Sequence, residues 1–349
     1  MKVACALTLA VLLASCGSPP PPPTVWEGPD VRVSGPYVHE NLAVYLLHRK
    51  DADPQEYLTL DEGLKKGVAL VSEKEQEQVN QLLVENRSDL PLFIQEGDRL
   101  QGGKQDRIVG ISLVVPPKSG VVPVPAFCVE QSRWTRGAQG GKFADTRNAA
   151  LAGQGVRYSA KVAGSQSLVW DQVARQKQAL AENSAAPNTN SSLNEALDSK
   201  VVMEKAAACE KALGDLAGKH PDAVGVAFAV NGRIEETVSY PGPALLRKVY
   251  GRLLGSYAIQ AVADPKSGAA PTAEAVGAFM KEGAKKMDET KNVDRDNACR
   301  LARYEKKAYC ESTYRGKVVC TQWLAEPEGL QAAPVQQLRG RTFQTQERR

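Results

Sequence analysis

The chain has 349 residues, 42% hydrophobic and 24% charged, an ordinary globular composition that excludes wholesale disorder. A net charge of +4 from 44 basic and 40 acidic residues is too mild to imply a polyanion partner, and 6% aromatics argues against a base-stacking nucleic-acid surface. The three histidines, His39, His48 and His220, stand apart in sequence, so no histidine-rich metal site and no metal or cofactor is expected.

The N-terminus has the anatomy of an export signal. Lys2 supplies a positive start, and Ala4 to Ala14 is an apolar run of signal-core length, too short to span a bilayer. It ends in Leu13-Ala14-Ser15-Cys16, which resembles the lipobox of bacterial lipoproteins. That resemblance implies a signal over residues 1–15 and a lipidated Cys16 as the new N-terminus, anchored stably because several acyl chains insert together. Gly17 in place of an aspartate implies, by the same resemblance, the outer membrane if the host has one. Ser18 to Pro23 (SPPPPP) is a polyproline spacer rising about 3 Å per residue, so residues 16–35 form a lipidated linker.

The spacer is followed by an expected strand over Tyr37 to Leu47. Thr59-Leu60-Asp61-Glu62 spells a capping box opening a short helix that stops at Gly67. Strands are expected over Val68–Val71, Gln78–Glu85, Leu90–Gln95, Arg107–Val115 and Val121–Glu130, with a three-glycine loop over Gly97–Gly103. Pro123 and Pro125 put the last strand at an edge or bulge. Gly137 to Gly155 reads as a loop, Ser167 to Glu182 as a helix, Asn183 to Ser192 as a linker and Leu193 to Gly218 as a second helix. Ala223 to Tyr240 is a hairpin turned by Asn231-Gly232. Pro243 to Ala263 is an amphipathic helix with Leu246, Val249, Tyr250, Leu253, Leu254 and Tyr257 on one core-facing stripe. Beyond a linker, helices are expected at about 272–289 and 294–308, then a cysteine-flanked hairpin and a basic disordered tail over 330–349. The expected class is α+β: a β-rich first half, a hairpin plus amphipathic helix in the second, and a helical extension over 264–329.

Cys5 leaves with the signal, and five cysteines remain beyond Cys16. An oxidising compartment permits disulfides, and an odd count leaves one thiol over. The expected pairs are Cys310 with Cys320, flanking AYCESTYRGKVVCTQW, and Cys209 with Cys299, leaving Cys128.

Two stretches carry chemistry. The first runs from Gln95 to Arg107 through Gly97, Gly102, Gly103, Lys104, Gln105 and Asp106. It is not a P-loop, because Gly stands where the lysine belongs and Gln105 follows Lys104 in place of a hydroxyl residue. Two readings stay open. The glycines could let backbone approach a ligand whose anionic groups meet Lys104 and Arg107. Alternatively, they satisfy positive φ in a hairpin connection whose charges face water. The second stretch is Phe127-Cys128-Val129-Glu130-Gln131-Ser132-Arg133-Trp134. Cys128, Glu130 and Ser132 share one face of an extended strand. Glu130 is the candidate catalytic base or hydroxyl acceptor, Arg133 a candidate phosphate partner and Trp134 a candidate stacking surface. The plain alternative is a buried apolar Cys128, a local Glu130–Arg133 ion pair and Trp134 in the core.

The combination of GGKQDR with FCVE-x-x-RW, supported by NLAVYLL, YLTLDEGL, VWDQV and the hairpin-helix from Val224, resembles a bacterial domain family named for its association with ADP-ribosylglycohydrolases and rhodanese-phosphatase proteins. The resemblance covers about residues 36–263. It implies a role near NAD or ADP-ribose metabolism and a shared pocket of Gly97, Gly103, Lys104, Gln105, Asp106, Arg107, Cys128, Glu130, Arg133 and Trp134. The resulting expectation is a lipid-anchored envelope protein binding a nucleotide-like anion, with an interaction lipoprotein without chemistry, acting through envelope protein partners, as the alternative.

Overall fold

The computed structural model describes residues 23–73, 80–130, 143–145, 149–184, 186, 192–281 and 287–330. The chain starts with β1 (Thr24–Glu27), β2 (Arg32–His39) and β3 (Leu42–His48). The single strand expected over Tyr37–Leu47 is thus a hairpin, turned at Glu40 with φ of +50°. β4 (Leu58–Thr59) leads into α1 (Leu60–Lys65), where Glu62 Oε2 accepts the Thr59 N–H at 2.9 Å and Gly67, at φ +68°, releases the chain. β5 (Ala69–Glu73), β6 (Gln81–Asn86), β7 (Leu92–Ile94), β8 (Arg99–Gly102), β9 (Arg107–Val109), β10 (Leu113–Val115), β11 (Val122–Cys128) and β12 (Phe143–Asp145) follow.

α2 (Gln154–Tyr158) runs into one π-helical turn (Ser159–Ala163), closed by Gly164 at φ +61°. Then come α3 (Gln166–Ser184), α4 (Leu193–Leu197), α5 (Lys200–Leu213) and α6 (Leu216–Lys219). The hairpin of β13 (Ala223–Val230) and β14 (Arg233–Ser239) turns at Asn231 and Gly232, both at positive φ. α7 (Pro243–Ala263), α8 (Ala273–Phe279), β15 (Glu289–Asn292), β16 (Asn297–Arg303), β17 (Lys307–Tyr314) and β18 (Lys317–Ala325) complete this mixed α+β protein.

Among the described residues, nine strands form one antiparallel sheet in the order β1-β2-β3-β13-β14-β18-β17-β16-β15. Its alternation sorts two faces. Leu42, Val44, Leu46, Val226 and Phe228 point into the main core beneath α7, while Ala43, Tyr45, Leu47, Ala227 and Ala229 meet α8. A second sheet, β12-β8-β9-β11-β6-β5, and a short one, β10-β7-β4, enclose their own apolar cluster around Leu82, Val84, Leu100, Val109 and Val124. The expected Arg107–Val115 strand therefore breaks into β9 and β10, which serve different sheets. The two prolines of β11 fall in its Val122–Pro125 half, paired to β6, while Ala126–Cys128 pairs to β9. Each half has one partner, as residues lacking an N–H require.

Three expectations are corrected. The extension is not helical beyond α8, since residues 289–325 are strands, and β18 inserts against β14 with Glu236 opposite Leu324. Asn297, Cys299 and Leu301 alternate inward, and the long-range partner outweighs the local helix-favouring composition. α7 is not amphipathic in its setting: Leu245, Arg252, Ser256, Ala258 and Ile259 are buried along with the expected stripe, so it is a central helix. Neither disulfide forms; among the described residues Cys128, Cys209, Cys299, Cys310 and Cys320 are all free and buried. The register sets Cys310 opposite Gln322 and Cys320 opposite Ser312, so those two thiols lie on a diagonal. Cys209 packs into the main helix core from α5, whereas Cys299 lies on β16.

Candidate functional site

Two of the sequence-marked stretches meet where β9 and β11 end. Cys128 stands opposite Arg107 in register, which brings the GGKQDR turn against FCVE. Gly103, at φ +60°, needs to be glycine on both conformational and packing grounds, because a Cβ would fall 2.5 Å from the Phe143 ring and 2.8 Å from Glu73 Oε1. Gln105 Nε2 donates to the Glu130 carbonyl at 3.0 Å, and the Asp106 N–H donates to Glu130 Oε2 at 3.1 Å. Asp106 accepts from the Gly102 N–H (3.1 Å), Ser192 Oγ (3.2 Å) and Asn194 Nδ2 (2.9 Å), the last two from the start of α4. Arg107 donates to Gln105 Oε1 at 3.2 Å and pairs with Glu73 Oε1 at 3.5 Å, and its buried Nε has no partner among the described residues. The Lys104 N–H also donates to Glu73 Oε1, at 3.0 Å.

Gln105, Asp106, Arg107, Cys128 and Glu130 are all buried, and Lys104 is half-buried. Burial pushes the Cys128 thiol up against the pull of Arg107, so it rests protonated and is no ready nucleophile. Gln166 of α3 holds its backbone through two bonds of 2.8 and 2.9 Å. Lys177, also on α3, feels Glu195 and Glu130, while burial holds its ammonium below the usual lysine range. Arg133, Trp134, Ser132 and Cys16 lie outside the described residues.

Gly97 belongs elsewhere. A Cβ there would come within 2.3 Å of Arg157 Cδ, so this glycine, at φ +84°, makes room for a buried arginine. Arg157 stands over the nine-stranded sheet and forms a fork with Glu236, at 3.0 and 2.6 Å. It also donates to Glu96 Oε1 (3.2 Å), Tyr257 Oη (3.1 Å) and the Ala152 carbonyl (3.1 Å). Glu96 further accepts from Gln95, Ser112 and Gln322, and Lys161 donates to Gln322 Oε1 while lying 3.8 Å from Glu96 Oε2. Against their burial, Lys161 and Arg157 hold the Glu96 carboxyl below the usual range, and Glu96 in turn holds the Lys161 ammonium above its own.

Sequence reasoning missed this centre, reading Gly137 to Gly155 as a loop and assigning no element to the segment that carries Arg157 and Lys161. The available signal was Arg157 and Lys161, four residues apart within GVRYSAKVAG, two cations on one face of an otherwise small and apolar segment. Glu236 carried another, since it shares the inward phase of Val238.

A third grouping joins Ser34 Oγ to His48 Nε2 at 2.8 Å and His48 Nδ1 to Asp222 Oδ2 at 2.9 Å. Asp222 is shared with Arg32 at 2.5 Å. A cavity of about 230 Å³ opens on the α8 side of the long sheet, with Asp30, Arg49, Tyr309 and Trp323 in its lining and none of the motif residues. Among the described residues no group of three or more His, Cys, Asp or Glu could hold a metal ion.

These features define an α+β protein on a long antiparallel sheet, with a buried charged centre and a polar cluster at the adjoining hairpin. The family model of the ARG and Rhodanese-Phosphatase-superfamily-associated Protein domain matches residues 30–323, and the chain belongs to that family. The match continues past residue 263 into β18, so the C-terminal strands lie within the family's domain. No curated protein and no solved structure matches the chain. Among the described residues, no helix is long and apolar enough to cross a membrane.

Proposed function

We propose that this is an exported, lipid-anchored envelope protein that binds an anionic small ligand of nucleotide or ADP-ribose type where GGKQDR meets FCVE. One observation carries the ligand reading: Gln105, Asp106, Arg107 and Glu130 converge as buried polar groups, and Arg107 keeps a buried Nε–H with no described partner. In this reading Arg107 and Lys104 meet phosphate oxygens, Glu130 and Asp106 accept hydroxyls, and Arg133 and Trp134 supply a further cation and a stacking ring. The β-rich first half carries the ligand residues, with α3 and α4 closing behind them. The family's named association with ADP-ribosylglycohydrolase and rhodanese-phosphatase proteins supports the ligand class. The anchor rests on Leu13-Ala14-Ser15-Cys16 and the proline spacer.

The test is the thermal midpoint of the full chain against ADP-ribose, NAD, mononucleotides and inorganic phosphate. A ligand at about a hundred times its Kd adds roughly 2.7 kcal/mol of stability, a readily visible shift. Arg107→Lys should abolish the shift and leave the unliganded midpoint near wild type. Cys16→Ser should lose labelled palmitate and release the protein from membranes. A second reading, an interaction lipoprotein without chemistry, is favoured by the Glu96–Arg157–Glu236–Lys161 centre, whose two anions and two cations are satisfied among themselves. A flat panel would select it.

A further inference from the structure

The π-helical turn carries Lys161 to the face of β18, where it meets Gln322, 161 positions away in sequence. Lys161 is 2% exposed, and Gln322 and Glu96 are each 1% exposed. Lys161 Nζ donates to the Gln322 carboxamide oxygen, which sets the amine beside the carboxamide carbon. The carboxamide nitrogen of Gln322 donates to Glu96 Oε1 and, at 2.8 Å, to Glu236 Oε1. Glu96 Oε2 lies 3.8 Å from Lys161 Nζ. One carboxylate thus reaches both the amine and the nitrogen that would leave. We infer that Lys161 and Gln322 condense into an intramolecular isopeptide bond, with Glu96 carrying the protons.

The step balances without any co-reactant. A proton passes from the Lys161 ammonium to Glu96 against the mutual attraction that holds the pair charged, and the removal of two buried charges offsets part of that cost. The freed amine attacks Cδ of Gln322, and the carbonyl electron pair moves onto Oε1. Glu96 delivers its proton to Nε2, the C–N bond breaks, and ammonia departs as the carbonyl re-forms. Glu96 then takes the surplus proton from the new amide nitrogen and ends protonated. The centre stays neutral, because the Lys161 charge and one carboxylate charge vanish together while Arg157 keeps its fork with Glu236. Tight burial keeps water from competing with the amine for the carboxamide. The bond would tie the helical layer to β18 and join chain segments far apart in sequence, constraining the unfolded chain.

The experiment is peptide mass spectrometry on the full chain, reduced, denatured and digested with trypsin. The expected product is residues 158–175 joined to residues 318–339, one ammonia lighter than their sum, with no cleavage after Lys161. Lys161→Arg and Glu96→Gln should each restore cleavage after residue 161 and leave 318–339 at its encoded mass, with near-ultraviolet circular dichroism reporting whether each variant has folded. Should either variant fail to fold, the wild-type digest decides alone. Wild-type protein cleaved after Lys161, with 318–339 at its encoded mass, would overturn the inference. This outcome is independent of the ligand panel.

Discussion

Arg157 places each of its nitrogens against an acceptor inside the protein, and none of them reaches water. An ion pair this deep gains little net stability over an apolar pair, yet breaking it leaves a naked charge in the core. Arg157→Met should therefore cost about 3–5 kcal/mol in urea unfolding, because Glu236 is stranded. The double variant Arg157→Met with Glu236→Leu should recover most of that loss. A double variant no better than the single would mean that the pair itself, and not the stranded charge, sets the stability. Gly97 is legible as a special position from sequence, but the reason for it is not. The sequence left open a ligand or a positive-φ connection there; the backbone is at φ +84°, and the atom a side chain would strike is Arg157 Cδ.

At the scale of elements, local signals were enough where the partner lies next door. The Asn231-Gly232 turn and the Thr59–Glu62 capping box are formed by neighbouring residues, and both can be read directly from the chain. β2 and β3 are held partly by side chains: His48 joins Ser34 on β2 to Asp222, which leads into β13. Burial holds the His48 imidazolium below its usual range, despite the attraction of Asp222. The sign follows from linkage. The folded state binds this proton less readily than the unfolded chain, so stability is full above the ordinary imidazole pKa and declines as pH falls through it toward the lowered value. Unfolding free energy measured between pH 8 and 5 should fall on the acid side, and His48→Asn should flatten that part of the curve. An unchanged slope would assign the acid loss to other groups.

For the whole molecule, the decisive feature is the placement of β18 between β14 and β17. A C-terminal extension that merely followed the domain could be removed, but this one supplies a middle strand and Gln322 of the buried centre. Ending the chain at residue 263 would bare the β14 edge and leave Glu96 and Glu236 without that partner. Such a chain should be insoluble or lack a near-ultraviolet dichroism signal, whereas a soluble, cooperatively melting product would mark the extension as separable.

Read alone, the sequence determined the mixed α+β class, the hairpin and cap positions, and the two motifs that meet at β9 and β11. These depend on turn residues, on alternation and on residue types set a few positions apart. Only the tertiary structure decided that residues 289–325 are strands, that no disulfide joins the described cysteines, and that Arg157, Lys161, Glu96, Glu236 and Gln322 share one buried centre. A strand's identity depends on a partner that can lie far along the chain, as Leu324 lies from Glu236. A buried charge, likewise, is tolerated only when its counter-charge arrives from another element, and neither fact is written in any short window of sequence.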